Sequence, residues 1–339
     1  MSSTSVFAKL CSSNKLLQLL FLMNFDLQNL AVSYMDSLLE ELLKPFIFNN
    51  SFATTITALP SEIFKILSSR EFTYFTRIKA EPYRIIINRK IQDSYSDRKQ
   101  LVFYYNLGGG YHARISEGLS FEPGLSELMT IFQIRKILGK LEIYPFGVRF
   151  EIIIDNRCAE LANHILIKDT SHYSNELGAI IKKLGLSPLI KIVLESDLVS
   201  KEDFNNQVVS CEKDFTYKIS DKDCKNACRF CKNISTSNQI TCAKRYKIIN
   251  NVSRDISSEY AKDGVHLTQR STDKSFPFRS FPGGDSKIQC GKVVLLLEGK
   301  TIKKPLLITA NNIGKYDLFK INLPDRFPIP DILIARNKN

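Results

Sequence analysis

The chain has 339 residues, 44% hydrophobic and 24% charged, with a formal net charge of +12. That balance excludes a fibrous or disordered chain, and the length suffices for one large or two ordinary domains with a buried core. The positive excess draws anionic partners, yet it occurs as scattered residues and pairs such as Lys182–Lys183 and Lys303–Lys304, so charge alone selects neither nucleic acid nor any other partner.

Leucines recur at spacings of three and four over residues 14–44, which predicts an amphipathic helix. Gln18, Asn24, Asp26 and Gln28 interrupt its most apolar part, so no membrane span is expected there. With no export signal read at the start and with several cysteines close together, a reducing cytoplasmic setting is expected. Pro45 and the Asn49–Ser51 cluster end this region. SEIFKILSS follows Pro60 and predicts a short helix capped by Ser61. YRIIINR, residues 83–89, reads as a strand.

From residue 100 the chain alternates. LVFYYN, VRFEIIID and LIKIVLES read as buried strands; GLSELMTIFQIRKILGKLE and HYSNELGAIIKKLG read as the helices between them. The pattern predicts an α/β fold, a Rossmann-like, mainly parallel sheet with helices on both faces and sites beyond the carboxyl ends of its strands. The expected organisation is an N-terminal helical region (1–80), the core (81–200), a polar cysteine-rich insert (201–262), and C-terminal strands (263–339) that complete core and site.

Three stretches carry chemistry. In FYYNLGGGYHAR the glycines Gly108, Gly109 and Gly110 follow a strand, where bare backbone allows either a tight turn or close approach to a ligand. No helical period follows and no P-loop lysine is present, so no nucleotide cofactor is expected. His112 and Arg114 would stand beside such a ligand for proton transfer and anion binding. Asp155 ends a strand and can serve as a base or as a helix N-cap. FRSFPGGDSKIQCGK contains a glycine turn, and Arg279 and Lys287, with Arg270 upstream, could hold an anion while Asp285 orients one of these cations.

DCKNACRFCKN places Cys224, Cys228 and Cys231 at C-x3-C-x2-C spacing, with Cys242 beyond and Cys211 before. Four thiolates from this set suit a structural zinc, with Cys211 as a substitute for Cys242. The metal would then supply folding free energy to a polar insert. The same spacing also fits the cluster motif of radical S-adenosylmethionine enzymes.

The stretch 124–156 resembles the pyoverdine/dityrosine biosynthesis family, which includes the isocyanide synthases. The match lies at Glu127, Tyr144, Pro145, Gly147, Arg149 and Asp155; Phe146, Ile154 and Asn156 differ from the family pattern, and no tryptophan is present for its Thr-Pro-Trp-His. The resemblance implies a Rossmann-like fold and condensation of an amino acid amine with a phosphorylated pentulose. Arg149 would join the anion-binding arginines. A biosynthetic enzyme acting on a small anionic substrate is therefore the leading expectation. A zinc-stabilised nucleic-acid or protein-binding module and a radical enzyme are the alternatives.

Overall fold

The protein is described as a computed structural model covering residues 26–44, 58–74, 76–107, 123–228, 238–268, 275–279, 292–308 and 313–338. The chain forms two units. One comprises residues 1–44 and 293–339, the other residues 45–292.

The larger unit holds a five-stranded sheet in the order β3-β2-β1-β4-β5: β1 (Leu101–Asn106), β2 (Val148–Ile154), β3 (Ile190–Leu194), β4 (Val265–Thr268) and β5 (Phe276–Pro277). Every described pairing in it is parallel. The expected Rossmann-like α/β fold is thus present. Its strands are predominantly apolar because both faces are covered. On one face Phe103 stacks on Phe150 at 5.3 Å and Tyr105 meets Phe278 edge-on at 5.4 Å. On the other, Tyr104 and Ile153 pack with Ala261 and Tyr260.

The connections fix where a crevice can open. Helix α5 (Leu125–Lys140) links β1 to β2, and α6 (Asn156–Asn163) and α7 (Ile167–Lys183) link β2 to β3. The chain then returns through α8 (Glu195–Leu198), α9 (Lys201–Lys213), α10 (Asp221–Cys228) and α11 (Gln239–Tyr260) to place β4 on the far side of β1. The direction of winding therefore reverses between β1 and β4, and such a reversal is where ligands bind in open α/β sheets. Gly264 permits the junction: a Cβ there would lie 2.4 Å from the Val102 carbonyl oxygen.

Before the sheet come α2 (Leu59–Leu67), α3 (Arg77–Ala80) and α4 (Arg84–Ser96). Two expectations are corrected here. The 83–89 run is not a strand: Ile87 and Ile91, one helical turn apart, are buried while Ile85 and Ile86 are exposed. Its isoleucines satisfy a helical face rather than an alternating one. Helix α2 starts at Leu59, with Ala58 at its N-cap and Pro60 in its first turn, so Ser61 does not cap it.

The described part of the 201–262 segment is mostly helical, and its buried Phe204, Val208, Ile248, Ile249 and Val252 share one cluster with Cys158 and Ala162 of α6. Ordinary apolar burial gives it shape, which removes the need for a metal to do so.

In the smaller unit, β6 (Lys292–Glu298), β7 (Thr301–Ile308), β8 (Tyr316–Asn322) and β9 (Asp331–Asn337) form a second sheet in the order β7-β6-β9-β8. Only β4 and β5 of the expected C-terminal strands join the parallel sheet. Within this unit Arg326 donates two hydrogen bonds to Asp36 of α1 (residues 26–43), at 2.7 and 3.0 Å.

Candidate active site

Parallel partners in register point to the same face. Asn106 pairs with Ile153, Ile153 with Val193, and Tyr104 with His266. Two residues beyond Ile153 and Val193 are Asp155 and Glu195. The α11-covered face thus ends in a row of polar side chains at the carboxyl edge: Asn106 of β1 and His266 of β4, with Asp155 and Glu195 immediately after β2 and β3. Ser253 and Ser257, one turn apart on α11, are buried on the same side.

At the reversal point, Asn106 donates from Nδ2 to Ser257 Oγ at 2.8 Å and turns its Oδ1 to His266 Nε2. This amide orientation assigns the imidazole proton to Nε2 and leaves Nδ1 as an acceptor. That Nδ1 is buried without a hydrogen-bond partner among the described residues. Burial pushes the His266 pKa down to about 4, so the ring is neutral near pH 7.

At the other end of the row Glu195 is wholly buried. Its Oε2 accepts the Cys158 N–H at 2.8 Å. Burial first, and then the negative charge of Asp155, raise Glu195 to about 7, against the opposing pull of Ser253 and the backbone N–H groups of Cys158 and Arg157. A carboxyl group that exchanges its proton near neutrality beside a second carboxylate is an acid–base pair in form. Asp155 stands at the N-cap of α6, and its side chain makes no capping bond. Asn156 instead ties β2 to the end of β3, donating to Ser196 Oγ at 2.8 Å and accepting the Ser196 N–H at 2.9 Å.

Arg149 is placed elsewhere, which corrects its expected role. It pairs with Val102 near the amino end of the sheet, and its guanidinium meets Glu151 at 2.6 Å. Glu151 also accepts the Tyr260 hydroxyl at 2.7 Å. Arg149 neutralises a buried carboxylate and does not face the carboxyl edge.

Most of the family-like residues are scaffold as well. Glu127, in the first turn of α5, reaches back to accept the Gly124 N–H at 2.8 Å and also accepts the Tyr173 hydroxyl at 3.0 Å. Tyr144 donates to the Lys99 carbonyl at 2.9 Å, and Gly147 turns the chain into β2 at φ +79°. Of the matched positions, Asp155 directly follows the carboxyl end of β2.

Gly108, Gly109, Gly110, His112 and Arg114 lie outside the described residues, as do Arg270, Asp285 and Lys287. Residues 108–122 follow Leu107 just past the end of β1, and 269–274 follow Thr268 at the end of β4. Arg279 is described: its backbone N–H donates to the Phe72 carbonyl at 2.7 Å, and its Nε is buried without a partner among the described residues.

For the cysteines, α10 carries Cys224 and Cys228, α11 carries Cys242 and α9 carries Cys211. The Cys228 side chain and Cys231 lie outside the described residues. Among the described residues no group of three or more His, Cys, Asp or Glu side chains could hold a metal ion. Nor is any helix among them long and apolar enough to cross a membrane.

Glu195, Asn106, Ser257 and His266 were not singled out in the sequence. The signal for two of them was available: Asn106 and Glu195 each break an apolar strand run at its carboxyl end. His266 sits inside VHLT, where nothing local distinguishes it from a core histidine.

The fold has a known counterpart. PvcA from Pseudomonas aeruginosa, of the pyoverdine and isocyanide-synthase family, superposes with a TM-score of 0.60 over 83% of this chain and 100% of that one, at 12% sequence identity. The distant resemblance seen in the sequence therefore holds at the level of the fold. The tyrosyl-tRNA synthetase of Archaeoglobus fulgidus (TM-score 0.35, 12% identity, 62% of this chain and 54% of that one) and the tryptophanyl-tRNA synthetase of Plasmodium falciparum (0.31, 17%, 66% and 58%) are similar too loosely to bear on function. No protein-family model matches the sequence, and no curated protein matches it significantly.

Proposed function

We propose that this chain is a biosynthetic enzyme of isocyanide-synthase type, which condenses the amine of an amino acid with a phosphorylated pentulose at the carboxyl edge of the parallel sheet. What carries the reading is an acid–base pair, Asp155 and Glu195, at the functional edge of a PvcA-like fold. In this reading the Asp155 carboxylate takes a proton from the substrate ammonium, becoming a neutral acid and leaving a free amine, with Glu195 as the second proton-holding group of the pair. The freed amine attacks the pentulose carbonyl carbon; the C–N bond forms and water leaves, giving an imine.

His112 would protonate the departing oxygen, and the bare backbone of Gly108–Gly110 would let the substrate approach. Arg114, Arg270, Arg279 and Lys287 would hold the carboxylate and phosphate by charge-assisted hydrogen bonds, with Asp285 orienting one of these cations.

The test is to incubate the protein with single amino acids and ribulose 5-phosphate, trap any imine with cyanoborohydride and weigh the product by mass spectrometry. The expected result is a reduced adduct formed faster than in protein-free controls for one amino acid class, and reduced at least tenfold in Asp155→Asn. If no amino acid yields adduct above the control rate, the reading is wrong.

A further inference from the structure

A pocket of about 260 Å³ lies beside β4 on the side of α4 and the end of α11. Its apolar wall comes from Tyr83, Ile86, Ile87 and Phe276, with the Tyr83 and Phe276 rings edge-on at 5.6 Å. This volume falls below the ~300–1,000 Å³ usual for drug-sized ligands, so a single ring or short chain fits and a nucleotide does not.

Two polar features give the pocket chemical character. Lys90 lines it and has no ionic partner among the described residues, whereas the neighbouring Lys262 is held by Glu259 at 2.7 Å. Lys90 is thus the cation available to a ligand's negative group. His266 also lines the pocket; it is 8% exposed, and its Nδ1 lacks a hydrogen-bond partner among the described residues. Since Nε2 is committed to Asn106, the vacant nitrogen can only accept. A ligand that satisfies it must bring an O–H or N–H.

We infer that this pocket binds a small apolar carboxylate bearing a hydroxyl group, with the carboxylate on Lys90, the body against Tyr83, Ile87 and Phe276, and the hydroxyl donating to His266 Nδ1. Asp155 takes no part, so the inference stands apart from the proposed reaction. Through the His266–Asn106 bond, however, an occupant would touch the network at the end of β1.

Titration calorimetry with 3-hydroxybenzoate and benzoate tests this on the full chain. The hydroxylated acid should bind about tenfold more tightly than benzoate, a difference of ~1.4 kcal/mol. Lys90→Ala should weaken it about tenfold while Asp155→Asn leaves it unchanged, and its binding should move the His266 Nδ1 resonance in nitrogen-detected NMR. Absence of binding, equal affinity for the two acids, an unaffected Lys90→Ala, or loss in Asp155→Asn would each overturn the inference.

Discussion

The two edges of the parallel sheet treat their buried carboxylates differently, although Arg149 Nε at the amino edge is also buried without a hydrogen-bond partner among the described residues. At the amino edge the Glu151 carboxylate is fully engaged, by Arg149 at 2.6 Å and the Tyr260 hydroxyl at 2.7 Å, and Tyr144 secures the turn into β2. At the carboxyl edge Glu195 and His266 are as deeply buried, yet each keeps an oxygen or nitrogen without a hydrogen-bond partner among the described residues. An unmade bond at a buried polar atom costs about 1–3 kcal/mol, so folding alone gains nothing from this arrangement. In the proposed reading, the open Glu195 oxygen marks the edge at which the reaction would take place.

The contrast can be broken by mutation. The largest stability effect is expected at the amino edge: Arg149→Ala leaves the buried Glu151 charge without its cation, held only by the Tyr260 hydroxyl, and should destabilise by about 2–4 kcal/mol in urea unfolding. Ligand binding at the carboxyl edge should survive in whatever fraction remains folded. A neutral outcome would mean that water replaces the guanidinium.

Next comes the pH dependence set by Glu195. Its folded pKa of about 7 lies above the ordinary 4.5. The folded state therefore holds a proton that the unfolded chain releases, and this contribution is complete below about pH 4 and is lost as pH rises through 7. Roughly 2–3 kcal/mol should be lost between pH 4 and 8, and Glu195→Gln should flatten that slope. An unchanged slope in the variant would place the titration elsewhere.

Asp155→Asn removes the negative charge facing Glu195, so its stability should stay within ~1 kcal/mol of the parent. The smallest expected effect concerns the cysteines. We propose zinc on Cys224, Cys228, Cys231 and Cys242, with Cys211 as a substitute, and metal analysis should then find about one zinc per chain. Because the cluster around Phe204 and Ile248 already packs these helices, chelation should loosen the segment near α10 without unfolding the protein. A metal-free preparation with unchanged thermal stability would remove the zinc.

The sheet was legible in sequence because apolar runs of strand length alternate with amphipathic helices; β1, β2 and β3 match LVFYYN, VRFEIIID and LIKIVLES closely. YRIIINR misled because three consecutive isoleucines satisfy strand composition, and only the burial of Ile87 and Ile91 reveals the helical period. Arg149 misled because a motif fixes order along the chain but not which end of a strand a residue occupies. Of the site, Asp155 was visible as a carboxylate closing an apolar run. The bonds from Asn106 to His266 and Ser257 span 160 and 151 residues, and no local pattern encodes a meeting set by strand order.

The most direct test of a reaction site at the carboxyl edge is a thermal-shift comparison of the parent protein and Asp155→Asn with ribulose 5-phosphate and amino acids, singly and together. The account predicts that the parent is stabilised by the sugar phosphate and further by one amino acid class, and that Asp155→Asn loses the amino acid increment. A parent that responds to neither ligand, or a variant that matches it in full, would contradict the account.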